Sequence, residues 1–96
     1  MASSNDVYAY LVAYIDKTGG AYSNWYAGIA TDVKQRLFTE HNVSQSGRWA
    51  YITADTVDAA RSVEKSLLQL GCDGGTGGGD SPKTVYVYLK SNETRE

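Results

Sequence analysis

Residues 25–41, WYAGIATDVKQRLFTEH, carry the clearest fold signal in this chain: a short strand, a glycine turn and a helix that begins with its own cap. Residues 25–29 have the aromatic and branched side chains that favour a strand. Asp32 is a good N-cap residue and Gln35, three positions later, completes a capping box, which predicts a helix over residues 33–41. That helix would carry Arg36 and His41, a basic group and a proton-transfer group on one rigid element.

Upstream of this stretch, residues 7–15, VYAYLVAYI, are strongly β-prone and predict another strand. Period-two alternation places the tyrosines on one face and alanine, leucine and isoleucine on the other, so neither face is polar. This pattern predicts a central strand. The turn-forming stretch DKTGGAYSN at residues 16–24 would then join residues 7–15 and 25–29 as a β-hairpin.

Downstream, residues 48–53, RWAYIT, predict a third strand, and Val57–Leu70 predicts a second helix that ends at Gly71. Residues 84–90, TVYVYLK, predict the last strand, and residues 91–96 a charged, frayed tail. The expected order is β-β-α-β-α-β. The predicted fold class is α+β: a small α/β sandwich whose antiparallel sheet, centred on residues 7–15, packs against flanking helices 33–41 and 57–70.

Length and composition limit the function classes. Ninety-six residues make a single domain over residues 1–96, with its core at about residues 7–90. The net charge of −2 argues against DNA binding through bulk charge and leaves room for a local basic patch. Cys72 is the only cysteine, which excludes an internal disulfide. No stretch approaches the roughly 20 apolar residues of a membrane span, so a cytoplasmic location without membrane contact is expected.

Glu64 is the most informative single residue of the second helix. At 100° per residue it falls inside the apolar arc of that helix, between Ala60 and Leu67 on one side and Val57 and Leu68 on the other. A carboxylate on a buried face is costly unless it is paired or binds a metal. Two interpretations follow: a metal or catalytic glutamate, or a glutamate at the rim of the core that is salt-bridged to an arginine.

A purely structural role is also possible for the other candidate residues, namely His41, Arg36 and the tyrosines. His41 projects between Leu37 and Phe38, which suits a hydrogen-bonded core histidine as well as a catalyst. Arg36 could clamp a phosphate through its planar fork or remain a surface arginine. The tyrosines, taken singly, suit sheet packing. The glycine-rich residues 71–82 match no nucleotide-binding pattern and are expected to form a flexible connection.

Taken together, these residues resemble the GIY-YIG nuclease family over about residues 7–90. The second motif of the small bacterial members, Y-x-G-I-x-T-D-[VL] followed by an arginine and a histidine, is matched by YAGIATDV, Arg36 and His41-Asn42. Glu64 stands where the family places its metal-binding glutamate. The first motif is matched by Val12-Ala13-Tyr14 without its glycine, with Tyr10 as the alternative to Tyr14.

The resemblance implies a metal-dependent endonuclease that hydrolyses DNA phosphodiester bonds. Its site would contain Tyr14 or Tyr10, Tyr26, Arg36, His41 and Glu64. Glu64 would hold a single Mg²⁺ or Mn²⁺ ion, bound weakly and together with substrate. Tyr14, Tyr10 or His41 would act as general base, Arg36 would stabilise the phosphate charge, and Tyr26 would position the nucleophile or the phosphate.

Two alternatives stay open at this point. The first is a catalytically inert module of the same fold that binds nucleic acid or protein, which the acidic pI and the missing motif glycine favour. The second is a tyrosine-rich homodimer or larger oligomer that uses TVYVYLK as an exposed edge strand.

Overall fold

A computed structural model describes residues 3–74 and 82–95 of the chain. Apart from one turn of 3-10 helix (Tyr22–Asn24), the helices and strands follow the order α-β-helix-β-α-β, in which the middle helix is a short π-helix. The main elements are α1 (Ser4–Thr18), β1 (Trp25–Ala30), the π-helix (Gln35–Glu40), β2 (Trp49–Thr53), α2 (Val57–Leu70) and β3 (Thr84–Leu89). No helix within the described residues is both long enough and apolar enough to cross a bilayer.

The sheet is antiparallel and three-stranded, with β3 in the middle of the order β1-β3-β2. One face carries Trp25, Ala27 and Ile29 of β1 and is covered by α1 and α2. The opposite face carries Tyr26 and the tyrosines of β3, and Leu37 of the π-helix packs there. The predicted α+β class and the antiparallel sheet are confirmed. Of the two helices predicted to flank the sheet, 57–70 is α2, whereas 33–41 contains only the short π-helix, and α1 is the second long helix.

The N-terminal segment contradicts the sequence prediction, because residues 7–15 lie in α1 and form no strand. Ser3 caps this helix by accepting a hydrogen bond from the backbone N–H of Asp6 at 3.2 Å. Val7, Leu11 and Ile15, four residues apart, are at most 1% exposed and face the core. The hairpin with residues 25–29 and the order β-β-α-β-α-β were therefore wrong.

The central position expected for residues 7–15 belongs to β3. Its alternating sequence sends Val85 and Val87 to the helix-covered face, and Tyr86 and Tyr88 to the other. Because β3 pairs with a strand on each side, TVYVYLK is not an edge strand. The expectation of an exposed edge at this strand was therefore wrong, and the homodimer stays a prediction without that support.

The second helix was predicted with its observed bounds. Thr56 caps α2 by accepting a hydrogen bond from the backbone N–H of Ala59 at 3.0 Å. Gly71 ends the helix with φ of 119°, a left-handed conformation that suits glycine. Both signals are local in sequence, which explains why the pattern sufficed. Most of the glycine-rich connection predicted over residues 71–82 falls on residues 75–81, outside the described residues.

Candidate functional site

An aromatic cluster occupies the sheet face opposite α1 and α2. Tyr26 of β1 pairs with Tyr88 of β3 and lies 5.2 Å from it between ring centroids. Gly28 pairs with Tyr86, whose ring covers the glycine: a Cβ atom at residue 28 would lie 2.5 Å from the Tyr86 Oη atom. The absence of a side chain at residue 28 is thus what lets the Tyr86 hydroxyl reach across β1.

The His41 ring packs against the three tyrosine rings of this cluster. Both of its ring nitrogens have hydrogen-bond partners. Nδ1 lies 2.6 Å from the carbonyl oxygen of Arg95, and Nε2 lies 2.8 Å from the Tyr86 hydroxyl. A carbonyl oxygen can only accept, so Nδ1 carries a proton and donates. In the neutral ring Nε2 is then the acceptor, and Tyr86 donates its hydroxyl proton to it. The Tyr88 hydroxyl lies 3.2 Å from Nδ1 and shares the same N–H.

The segment after β3 holds His41 in place. The backbone N–H of Arg95 donates to the carbonyl oxygen of His41 at 2.7 Å, and the Asn42 side chain donates to the carbonyl oxygen of Glu93 at 2.9 Å. Asn42 takes a positive φ of 57°, where the chain turns away from the π-helix. The expectation that the whole of residues 91–96 is frayed was wrong for residues 91–95, because these backbone groups fix the histidine.

The π-helix sets the direction of Arg36 and His41. Residues 33–34 form a helical start to the π-helix. Asp32 Oδ1 accepts a hydrogen bond from the Gln35 backbone N–H at 3.2 Å, which is the side-chain bond that the predicted cap at Asp32 requires. The His41 N–H donates to the Arg36 carbonyl five residues earlier, a wide turn that rotates both side chains relative to an α-helix. The Arg36 side chain is 24% exposed, and its Nε atom lies 3.5 Å from Glu40 Oε1.

Several of the predicted site residues influence the pKa of the Tyr86 hydroxyl. Its pKa is raised, first because burial disfavours the phenolate and next because the neighbouring Tyr26 hydroxyl adds to that effect. The Arg36 guanidinium opposes the rise, while the Glu64 and Glu40 carboxylates add to it. Charges on the π-helix and on α2 thus influence the pKa of one hydroxyl, although these two helices cover opposite faces of the sheet.

Glu64 lies at the edge of the buried face of α2 and is half-buried. Burial raises the pKa of its carboxyl group, and the charge of Arg61 partly offsets that rise. Among the described residues Glu64 forms no ion pair, so the expected salt bridge to an arginine is not seen there. The carboxylate is thus neither sealed in the core nor neutralised by a close cation.

The predicted site is only partly assembled. Tyr26 and His41 contact Tyr86, and the charges of Arg36 and Glu64 act on its pKa. Tyr14 and Tyr10 belong to α1 and are not among these groups. Tyr14 packs edge-to-face on Trp25 with 5.8 Å between ring centroids, and Tyr10 is 50% exposed on the outer side of the helix.

Tyr86 and Tyr88 belong to the site but were not predicted from the sequence. The signal that could have found them is the V-Y-V-Y alternation in β3, which places two tyrosines on one sheet face. This alternation does not reveal a site without the register of β3 on β1. Only the pairing of Tyr86 with Gly28 shows that the Tyr86 hydroxyl has room to extend across β1.

The donor atoms limit how a metal ion could be held. Within residues 3–74 and 82–95, no three side chains of histidine, cysteine, aspartate or glutamate are placed to hold one ion. A site formed by one carboxylate, water molecules and substrate oxygens is ordinary for Mg²⁺. The half-buried, unpaired carboxylate of Glu64 fits that type of site.

Comparisons of the chain with models of protein families, with curated proteins and with solved structures found no match.

Proposed function

We propose that this protein is a metal-dependent endonuclease that hydrolyses phosphodiester bonds of DNA, as its resemblance to the GIY-YIG nucleases implies. One observation carries the proposal: the buried Tyr86 hydroxyl is hydrogen-bonded to His41, and the Tyr86 ring stacks on Tyr26. Two residues of the second motif therefore meet at Tyr86 by direct contact, and the charges of Arg36 and Glu64 shift the pKa of its hydroxyl in opposite directions.

Arg36 and Glu64 are the groups that would touch the substrate. Both keep part of their side chains in contact with solvent. The guanidinium of Arg36 would bind the scissile phosphate and stabilise the charge that develops on it. To do so it must exchange its ion pair with Glu40 for the phosphate, which binds a guanidinium through two hydrogen bonds.

Glu64 would hold the Mg²⁺ or Mn²⁺ ion. When bound, such an ion polarises a phosphoryl oxygen and stabilises the leaving oxygen. Water would attack phosphorus, the bond from phosphorus to the leaving sugar oxygen would break, and one proton of the water would pass to that oxygen, which leaves a phosphate monoester and a hydroxyl group. Tyr26, which is buried with 6% of its surface exposed, would orient the attacking water.

His41 is reassigned from general base to positioning residue. The ring is buried, and its two nitrogens are occupied by Tyr86 and by the Arg95 carbonyl. It would hold Tyr86, and through the packed rings Tyr26, in a fixed orientation. Tyr14, predicted as an alternative general base, has no part in this mechanism because its ring packs edge-to-face on Trp25 and, unlike Glu64, is not among the groups that act on the Tyr86 hydroxyl.

The test is a cleavage assay with plasmid, single-stranded and branched DNA in Mg²⁺ and in Mn²⁺. We expect Glu64→Gln to lower the cleavage rate by about 10²–10³-fold, because it removes the only charged ligand proposed for the metal. Asp58→Asn is the matched control, since it removes another carboxylate of α2 and should keep the activity. Cleavage that persists unchanged in Glu64→Gln would overturn the mechanism.

A second candidate is a module that binds nucleic acid without cleaving it. The observation that favours it is the closed state of the cluster: Arg36 is paired with Glu40, and His41 is buried with both nitrogens bonded. This candidate expects DNA binding without cleavage in either metal. The same assay, combined with a binding measurement, separates the two functions.

A further inference from the structure

A polar groove lies along the outer side of α1, away from the tyrosine cluster. One part has a volume of about 380 Å³ and is lined by Tyr14, Lys17, Thr18 and Arg48. An adjoining shallow depression of about 320 Å³ adds Tyr10 and Ala13. The two share Tyr14 and Lys17, so they form one continuous open surface, the α1 groove.

The α1 groove combines two cations with two aromatic rings. Lys17 comes from the last turn of α1 and Arg48 immediately precedes β2, so they reach the groove from different elements. Within the described residues neither side chain has an ion-pair partner. The acidic neighbour Asp16 instead accepts a hydrogen bond from the Tyr22 hydroxyl at 2.9 Å. The two positive charges are therefore available to an anion.

The aromatic side of the groove is fixed in orientation. Tyr14 packs edge-to-face on the buried Trp25, with the ring planes 85° apart. The ring is therefore held before any ligand arrives, which lowers the entropy cost of stacking a planar group on it. Tyr10, one turn earlier, is half exposed and offers a second ring along the same side of the helix.

We propose that the α1 groove binds single-stranded nucleic acid, with a phosphate between Lys17 and Arg48 and a base stacked on Tyr14. Proteins bind single strands by this combination of cations that follow the backbone and rings that stack on bases. A duplex keeps its bases stacked inside and cannot offer them to Tyr14. This site is separate from the proposed hydrolytic site, because it requires neither Glu64 nor a metal ion.

The charge part of the proposal is tested by fluorescence anisotropy with labelled decamers of thymidylate and of uridylate in EDTA. The variant Lys17→Gln/Arg48→Gln should bind at least about tenfold more weakly at low salt. Its plot of log affinity against log salt should be flatter by about 1.4, if each cation contacts one phosphate. The control Lys65→Gln/Lys83→Gln makes the same charge change elsewhere and should bind like the unmodified protein.

The stacking part is tested in the same assay. Tyr14→Leu should weaken binding about fivefold or more, whereas Tyr14→Phe, which keeps the ring, should not. A duplex of equal phosphate number should bind more weakly than the single strand. Photo-crosslinking of a bromouracil oligomer to the unmodified protein should label α1, a result that depends on no variant folding correctly.

The proposal is wrong if neither decamer binds, if duplex binds more tightly than the single strand, or if the crosslinks lie outside the groove. It is also wrong if the two double charge variants lose the same affinity, or if Tyr14→Leu and Tyr14→Phe lose the same affinity. Because all measurements are made in EDTA, failure here leaves the cleavage result untouched. Conversely, a chain that fails to cleave DNA still tests this site.

Discussion

Replacing Gly28 by alanine is the sharpest test of how the tyrosine cluster is built. The added methyl carbon would lie 2.5 Å from Oη and 2.6 Å from Cζ of Tyr86, well inside van der Waals contact. The Tyr86 ring cannot swing aside cheaply, because it is 1% exposed and its hydroxyl is bonded to the buried His41. The substitution must therefore displace the ring or the strand.

Two costs add in this variant. Overpacking a dense core costs about 1–3 kcal/mol. Moving the Tyr86 hydroxyl leaves the buried Nε2 of His41 without its donor, which costs about another 1–3 kcal/mol. We therefore expect Gly28→Ala to lower the free energy of unfolding by about 2–6 kcal/mol, against a total of about 5–15 kcal/mol for a typical domain.

Urea unfolding followed by far-UV circular dichroism measures this loss. The matched background is Tyr86→Leu, which removes the atoms that the new methyl group would meet. In that background Gly28→Ala should cost much less, so the double-mutant cycle should show a large coupling between the two positions. The packing argument is wrong if Gly28→Ala costs under about 1 kcal/mol, or if its cost is the same in both backgrounds.

Three further predictions concern single side chains. Tyr86→Phe should lower the free energy of unfolding by about 1–3 kcal/mol, because it leaves the buried Nε2 of His41 without a hydrogen-bond donor. The control Tyr51→Phe, at a half-buried tyrosine on the same sheet face, should cost less. Equal costs in denaturant titrations would contradict this. Burial raises the pKa of Glu64 in the folded state, so its negative charge opposes folding once the pH rises above that pKa. Glu64→Gln should therefore increase the free energy of unfolding at neutral pH, and this increase should vanish below the pKa of Glu64 in the unfolded chain. An increase that does not depend on pH would refute the raised pKa. Thr56→Ala should cost about 1 kcal/mol in a thermal melt by removing the N-cap of α2, and an unchanged melting temperature would count against the cap.

Local signals explain most of the correct fold predictions. The cap and stop of α2 lie within a few residues of its ends, and Asp32 likewise acts on a backbone N–H only three residues away. The segments predicted as strands around residues 25–29, 48–53 and 84–90 are short, β-prone and separated by turns, and each contains a strand of the sheet. Such features depend little on the rest of the chain.

The stretch VYAYLVAYI shows where local signals fail. It satisfies two periods at once: alternate residues suit a strand, and Val7, Leu11 and Ile15 suit one face of a helix. Propensity favoured the strand, since tyrosine, valine and isoleucine are enriched in sheets. The Ser3 cap and the packing of one helical stripe against the sheet and α2 decided for the helix.

The candidate site divides in the same way. Sequence patterns alone are enough to identify the unusual groups, because these patterns are properties of single elements: Glu64 interrupts an apolar arc, and Arg36 and His41 lie on one short helical segment. Which of these groups lie near one another depends on how the elements pack. The register of β3 on β1 places Tyr86 over Gly28, and the segment that ends at Arg95 returns to His41. Contacts between residues some fifty positions apart depend on how elements pack, which no local pattern records.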